Sequence, residues 1–173
     1  LYLSKDYSNA ESICKQSIQR NPDDITPRFI LIDTYIAVNK YQEADHQLNQ
    51  ITAKAIKDDS VLSYYVHLLI MVRGVQSARS VLNSYLEGKG IEFSDAINIA
   101  TAEVEFYEGD LDSAEQHALK AFSSDNTNDK LIGLLGKINR KLGNLDQAVN
   151  FFSKSIKAKD LNLPVEVEYT AKE

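Results

Sequence analysis

The stretch Gly109-Asp110-Leu111-Asp112-Ser113-Ala114 recurs 34 residues later as Gly143-Asn144-Leu145-Asp146-Gln147-Ala148. Each copy ends on an alanine, and three earlier segments carry an alanine at the corresponding place. Successive alanines are separated by 34, 34, 36 and 34 residues, and the full set is Ala10, Ala44, Ala78, Ala114 and Ala148. A regular period of this length indicates that one structural unit is repeated along the chain.

The apolar residues within each copy have the spacing of an α-helix. Around the second alanine, Tyr41, Ala44, Leu48 and Ile51 follow one another at steps of three and four. Only Val165–Tyr169 alternates in the manner of a strand, and it is too short to build a sheet. The chain has just seven glycines and three prolines, whereas an all-β chain needs many turn residues. The sequence therefore predicts an all-α protein.

The composition excludes several classes of protein. The 173 residues carry a net charge of −6, which argues against the basic surface of a nucleic-acid-binding protein. No apolar run reaches the roughly 18 residues of a membrane span, so we expect no direct membrane insertion. A single cysteine, Cys14, rules out a disulfide framework and a cysteine-rich zinc module.

The period and the residues at particular places resemble the tetratricopeptide repeat (TPR) family, whose unit is a helix–turn–helix. Leu135-Gly136 and Gly143 fall where that family has a Leu-Gly pair and a turn glycine, and Tyr35 falls at its tyrosine position. The resemblance covers Leu1 to Asp160. It implies a right-handed superhelical solenoid of stacked antiparallel helix pairs, in which the first helix of each pair is helix A and the second is helix B.

Departures from the family pattern occur at the turns and in the fourth unit. Asn39 and Arg73 stand where the turn glycine is usual, Gly74 is shifted by one residue, and Glu105 occupies a usually apolar place. Three polar residues precede helix B and are expected to cap its free N–H groups. These are Asp6, Asp110 and Asn144, the last of them paired with Gln147 in a capping box.

The array is expected to extend over residues 1–160, followed by a C-terminal cap or tail over residues 161–173. Leu1 falls in the middle of a helix A, so we expect the chain to be part of a longer protein. The absence of a signal peptide then says nothing about its compartment, so the location stays unknown, with the cytoplasm and, for a bacterial exported protein, the periplasm both open. The repeats are predicted at residues 1–24 (partial), 25–58, 59–93, 94–127 and 128–160.

The residues that usually carry chemistry form no recognisable constellation. His46, His67 and His117 are far apart, and His46 and His117 are expected on the outer surface of helix B. Cys14 falls at an inward packing position and is expected to be a small core residue. We therefore predict no catalytic residue, no cofactor and no metal, and hence no enzyme.

The resemblance implies a concave groove lined by the helices A. Its predicted surface is apolar and aromatic over three repeats, with two acids and one histidine, and strongly basic in the last repeat. Alternatively, the apolar members simply pack between neighbouring repeats. The predicted groove residues are Phe29, Asp33, Ile36, Ser63, His67, Ile70, Met71, Ile99, Glu103, Phe106, Tyr107, Lys130, Lys137, Arg140 and Lys141.

These features predict a non-catalytic protein–protein interaction module, a scaffold or adaptor that binds a partner peptide or helix in the groove. The clamp that co-chaperone TPR domains use for a peptide carboxylate is absent, because its central positions are Ile30, Tyr64 and Ala100. One alternative is a regulatory or recruiting domain of a larger enzyme. Another is a self-assembling scaffold, in which copies associate through the terminal repeats.

Overall fold

A computed structural model describes residues 6–51, 56, 58–87, 93–124 and 127–158. Over these residues the chain forms nine α-helices and no strand, which confirms the predicted all-α class. Residues 161–173, for which a cap or tail is predicted, lie outside this part. The helices are α1 (Tyr7–Arg20), α2 (Thr26–Ala37), α3 (Tyr41–Leu48), α4 (Asp59–Arg73), α5 (Val75–Leu86), α6 (Asp95–Glu108), α7 (Leu111–Ser124), α8 (Asp129–Leu142) and α9 (Leu145–Ala158).

The chain divides into two units, Leu1–Glu92 and Phe93–Glu173. In the first unit α2 packs against α1, α3 and α4, and α4 packs against α3 and α5. In the second unit α6 packs against α7 and α8, while α8 packs against α7 and α9. Helices α2, α4, α6 and α8 occupy the place of helix A, and the others that of helix B. Each unit is thus a stack of helix pairs, in which successive helices A are neighbours.

The repeated alanines lie where helices A and B meet. Ala44, Ala78, Ala114 and Ala148 are at most 3% exposed, whereas Ala10 in α1 is half-buried. An alanine has no atom beyond Cβ, so the partner helix approaches closely at that point. The residue four positions further along is also buried in α1, α3, α5 and α7, where Cys14, Leu48, Leu82 and Ala118 stand. The predicted packing role of Cys14 is thereby confirmed, and its burial raises the pKa of the thiol.

Three helices A end in the same left-handed turn, which satisfies their last carbonyl groups. Asn39, Gly109 and Gly143 have φ values of 59°, 91° and 82°. The N–H after each of them donates to a carbonyl five residues earlier, as in Asp110 N to Glu105 O at 3.0 Å. Asn39 can replace glycine here because asparagine tolerates this conformation better than most residues.

The turn between α4 and α5 is different. Gly74 alone separates the two helices, with φ 88° and ψ 168°, and Arg73 completes the last turn of α4. The Arg73 guanidinium reaches back to α3, where it donates to Asp45 and, at 2.7 Å, to Asn49 Oδ1. The shifted glycine therefore lengthens α4, and the arginine at the usual glycine place joins two helices of the first unit.

Side-chain caps confirm two of the three predictions for helix B. Asp6 Oδ1 accepts from Asn9 N at 3.0 Å, and Asp110 Oδ1 accepts from Ser113 N at 3.2 Å. The capping box predicted for Asn144 is wrong. Its side-chain amide instead donates to Asn139 Oδ1 at 3.4 Å, because the buried Asn139 lies next to the turn.

A close contact between α8 and α9 distinguishes the two glycines of α8. A Cβ at Gly136 would lie 2.6 Å from the Phe152 ring, whereas a Cβ at Gly133 would meet nothing within 4 Å. Gly136→Ala should therefore lower the free energy of unfolding by about 1–2 kcal/mol through overpacking. Gly133→Ala, the matched control, should raise it by about 0.5–1 kcal/mol by reducing the entropy of the unfolded chain. Urea denaturation followed by circular dichroism measures both, and equal effects at the two positions would contradict this account.

Glu11 connects α1 to α2 and to the turn that follows it. It accepts from Lys15 Nζ at 2.6 Å and from the Tyr35 hydroxyl at 3.1 Å, and Lys40 Nζ lies 3.5 Å away. The hydrogen bond from Lys15 is the main reason that the pKa of Glu11 falls below its ordinary value of 4.5, although burial opposes the change.

Glu11→Gln should lower the free energy of unfolding near neutral pH by at most about 1 kcal/mol, because water screens the ion pairs. The lowered pKa means that this stabilisation is complete above about pH 4.5 and is lost as the pH falls through the folded-state value. Urea denaturation of both proteins from about pH 7 to about pH 2 measures the difference. A difference that persists at the acid end would show that Glu11 acts through packing and not through charge.

Candidate functional site

The predicted groove residues lie on helices A, in two separate faces. The α2/α4 face, in the first unit, comprises the exposed and half-buried side chains Asp33, Ile36, Ser63, Tyr64, His67 and Met71. The α6/α8 face, in the second unit, comprises Ile99, Glu103, Tyr107, Lys130, Lys137, Arg140 and Lys141. Since α2 contacts α4 and α6 contacts α8, each face combines side chains from two neighbouring helices.

Three of the predicted residues belong to the core. Phe29, Ile70 and Phe106 are each 7% exposed, and Phe106 packs in a cluster with Ala102, Leu135 and other buried residues of the second unit. For these three side chains the structure supports the packing alternative. By contrast, Met71 and Tyr107 are exposed together with Asp33 and the four basic residues of α8.

Tyr64 is the centre of the α2/α4 face, although the sequence analysis did not place it among the groove residues. Its hydroxyl donates to the Asp33 carboxylate and so joins α4 to α2. Its ring meets Phe29 edge-on at 5.2 Å and stacks on His67 at 6.3 Å. Burial, followed by the Asp33 hydrogen bond, raises the pKa of Tyr64. The tyrosine therefore stays neutral and holds an acidic and a histidine side chain at defined positions.

The α6/α8 face is organised around two aromatic rings. Phe106 and Tyr107 meet edge-on at 5.3 Å, and Lys141 Nζ lies 4.4 Å from the Phe106 ring centroid. This cation–π contact joins α8 to α6 and holds the lysine beside the exposed tyrosine. Burial, with a smaller effect of the Glu103 charge, raises the pKa of Tyr107.

Three of the four basic residues of this face form no ion pair within the described part of the chain. Lys137, Arg140 and Lys141 form no ion pair with any carboxylate of the described residues, whereas Lys130 does have an interaction partner. Elsewhere in the chain Lys15, Lys40 and Arg73 all pair with carboxylates. The face thus presents three cations whose charge the described part of the protein does not neutralise.

A buried acid–histidine pair explains the unusual residue of the fourth repeat. Glu105 is 8% exposed, and its Oε2 lies 2.8 Å from His117 Nδ1 on α7. Ser113 O lies 3.2 Å from the same nitrogen, so we assign the proton to Nδ1, which donates to both oxygens. The ring of His117 stacks on Phe93 at 6.3 Å. The prediction of a solvent-facing His117 is wrong, because the carboxylate in the helix pair draws the ring inward.

The signal for this pair is visible in the sequence only in retrospect. Glu105 lies four residues before the turn glycine, and polar side chains occupy that place in two other repeats, as Tyr35 and Asn139. Both of these also hydrogen-bond within their own unit. A polar residue at this position therefore indicates a hydrogen-bond partner, which lies on a packed helix for Glu105 and Tyr35 and on the same helix for Asn139.

The described residues hold neither a metal-binding cluster nor a membrane-spanning helix. No three His, Cys, Asp or Glu side chains come together there in a way that could hold a metal ion. No helix in that part of the chain is long and apolar enough to cross a bilayer.

Comparisons with known proteins identify the repeat. Two family models described as tetratricopeptide repeat match residues 1–64 and 130–160. A search of curated protein sequences found no significant relative. Among solved structures, a thermophilic TPR protein from Thermus thermophilus, TTC0263, is similar with a TM-score of 0.73 and 17% identity, over 95% of this chain and 89% of that one.

Two further structures share the fold. PilW, described as a widely conserved type IV pilus biogenesis factor, has a TM-score of 0.63 and 16% identity over 91% of this chain and 72% of that chain. YrrB, described as a TPR protein with an unusual peptide-binding site, has a TM-score of 0.51 and 15% identity, over 96% and 84% of the two chains. At these identities the similarity establishes the fold alone.

The Glu105–His117 pair should be worth a measurable part of the stability. Glu105→Ala removes a charge-assisted hydrogen bond and should lower the free energy of unfolding by about 1–3 kcal/mol. In a double-mutant cycle with His117→Ala, the two losses should fall short of additivity by at least about 0.5 kcal/mol. Urea denaturation of the four proteins gives this coupling energy, and strictly additive losses would mean that the two side chains do not interact.

Proposed function

Because this chain is a tetratricopeptide repeat protein, we propose that it acts as a non-catalytic scaffold or adaptor that binds a partner peptide or helix on its helix-A faces. The TPR fold in general is that of protein–protein interaction scaffolds. The proposal adds where binding takes place, namely on the α2/α4 face and the α6/α8 face, each considered by itself.

The observation that carries the proposal is the α6/α8 face. Tyr107 is 46% exposed, although its neighbour Phe106 is buried and Lys141 is held over the Phe106 ring. A tyrosine on a packed helix offers a partner a large, rigid surface at a low entropic cost. Tyrosine and arginine are among the residues enriched at interaction hot spots, and this face presents both Tyr107 and Arg140.

The α2/α4 face supports the same function with different chemistry. Met71 is exposed next to the buried Ile70, and Tyr64 holds Asp33 and His67 in place. Methionine adapts its shape to irregular apolar partners. An amphipathic helix or an extended segment can use such a surface, with apolar residues against Met71 and a hydrogen-bond donor near Asp33.

Two other functions remain as alternatives. A recruiting domain of a larger enzyme would use the same faces and would differ only in what else the complete protein contains. Self-assembly through the terminal repeats would use α1 or α9, where Ile13, Leu145 and Val149 are exposed. The division into repeats at residues 25–58, 59–93, 94–127 and 128–160, and the absence of nucleic-acid binding, are likewise proposals.

A selection of random peptides displayed on phage tests the proposed binding faces directly. Binding of the selected peptides, measured by fluorescence anisotropy, should be weakened at least about tenfold by Tyr107→Ser, because loss of an aromatic hot spot costs about 2 kcal/mol or more. Leu119→Ser is the matched control, since Leu119 is 44% exposed and lies on helix B of the same unit.

The comparison of the two variants shows whether the selected peptides bind on helix A or on helix B. Selected peptides whose affinity falls with Leu119→Ser and not with Tyr107→Ser would place the interaction surface on helix B and overturn the proposal. Circular dichroism and the unfolding midpoint show whether either substitution disturbs the fold.

A further inference from the structure

We infer that the α6/α8 face binds an acidic segment of its partner, one that directs carboxylates to Lys137 and Arg140 and an apolar side chain to Tyr107. This inference rests on the proposed function and names the chemistry of the partner. It concerns the second unit alone.

The cations form one row on α8. Lys130, Lys137, Arg140 and Lys141 follow at steps of seven, three and one, so all four lie on or beside one side of the helix. All four are exposed. The preceding helix A, α6, contacts α8 and adds Tyr107 and the half-buried Ile99 to the same face. A partner lying along this row meets positive charge and apolar surface together.

Three of these cations lack an ion pair within the described residues, although the chain is rich in acids. It contains 25 acidic and 19 basic residues, yet Lys137, Arg140 and Lys141 form no ion pair with a carboxylate of the described residues. Arg20, Arg28, Lys120 and Lys154 also lack a described acidic partner, but each of them lies on a different helix, in α1, α2, α7 and α9. Three cations of this kind within five residues form a positive patch, which attracts and orients an anionic partner.

The helix dipole of α8 explains only part of the row of cations. Arg140 and Lys141 lie in the last turn of α8, where positive charge stabilises the negative end of the helix dipole. That effect falls off within the last turn, and Lys137 lies five residues before Leu142, the end of the helix. The dipole therefore gives no reason for Lys137, whereas an acidic ligand along the helix gives a reason for all three.

Lys141 is already held in place for such a ligand. Its ammonium group lies 4.4 Å from the centroid of the Phe106 ring, so less side-chain freedom is lost when an anion arrives. The contact leaves the charge of the lysine intact. The pair of α6 and α8 is thus preorganised at the point where the cation row meets the exposed Tyr107.

An acidic peptide fits this face better than RNA or a lipid surface does. The chain carries a net charge of −6, so a long polyanion is repelled by the rest of the protein. The Glu103 carboxylate acts on Tyr107 at the edge of the face and opposes a continuous phosphate backbone. A peptide can place its charges over α8 and an uncharged side chain over α6.

The test uses a labelled decapeptide of glutamates carrying one tryptophan, compared with a matched decapeptide of glutamines. At low salt the acidic peptide should bind at least about tenfold more tightly, and high salt should reduce this difference. Lys137→Gln with Arg140→Gln should weaken its binding about tenfold, on the scale of two exposed ion pairs. Arg20→Gln with Lys120→Gln removes the same charge elsewhere and should have little effect. Both double variants alter exposed side chains, and circular dichroism verifies that they fold.

Several results would overturn the inference. Equal weakening by the two double variants would show that only the net charge matters. Equal binding of the glutamine peptide would show that the carboxylates are not recognised. Two further probes are a ten-nucleotide single-stranded RNA and a phosphatidylserine vesicle. If either binds more tightly than the acidic peptide, with the same dependence on Lys137 and Arg140, the face recognises that polyanion and not an acidic peptide.

The two peptide experiments together distinguish failure of the charge inference from failure of the proposed function. If the acidic peptide fails to bind while phage-selected neutral peptides bind and depend on Tyr107, the charge inference is wrong and the binding face stands. If neither kind of peptide depends on this face, the charge inference is wrong, and so is the part of the proposed function that concerns the α6/α8 face.

Discussion

The close approach of helix A to helix B is the constraint on which the rest of the structure depends. It favours a very small residue at one position of each helix B, and the buried alanines at 44, 78, 114 and 148 meet that requirement. At Gly136 even a Cβ would collide with Phe152. Larger residues at these points would separate the helices, and the apolar side chains around them would lose their packing contacts.

The stacking of helix pairs also determines which side chains remain available for binding. In the second unit α6 packs against α7 and α8, and its residues Ala102 and Phe106 are buried in the hydrophobic core. Tyr107 is the next residue along, about 100° around the helix, and it faces outward. The proposed binding face therefore lies next to the core, and its side chains sit on helices that are packed against their neighbours.

Polar groups within the helix pairs follow the same geometry. Glu105, Tyr35 and Asn139 all stand four residues before a turn, and each finds a hydrogen-bond partner nearby. A buried carboxylate is costly unless it is paired, and His117 supplies the partner for Glu105. The repeat thus accepts a polar residue at a usually apolar place, provided that a hydrogen-bond partner lies within reach, either a side chain of a neighbouring helix or a carbonyl of the same helix.

The sequence by itself determined the all-α class, the repeat and the turns, because period, alanine spacing and turn residues are local properties of the chain. It also assigned Tyr107, Lys137 and Arg140 to helices A, with packing between repeats left open as the alternative for Tyr107. Only the tertiary structure decided that Phe29, Ile70 and Phe106 belong to the core, that Glu105 pairs with His117, and that Tyr64 joins Asp33 to His67. The physical reason is that burial and pairing depend on the neighbouring helix, whose distance and rotation no single helix encodes.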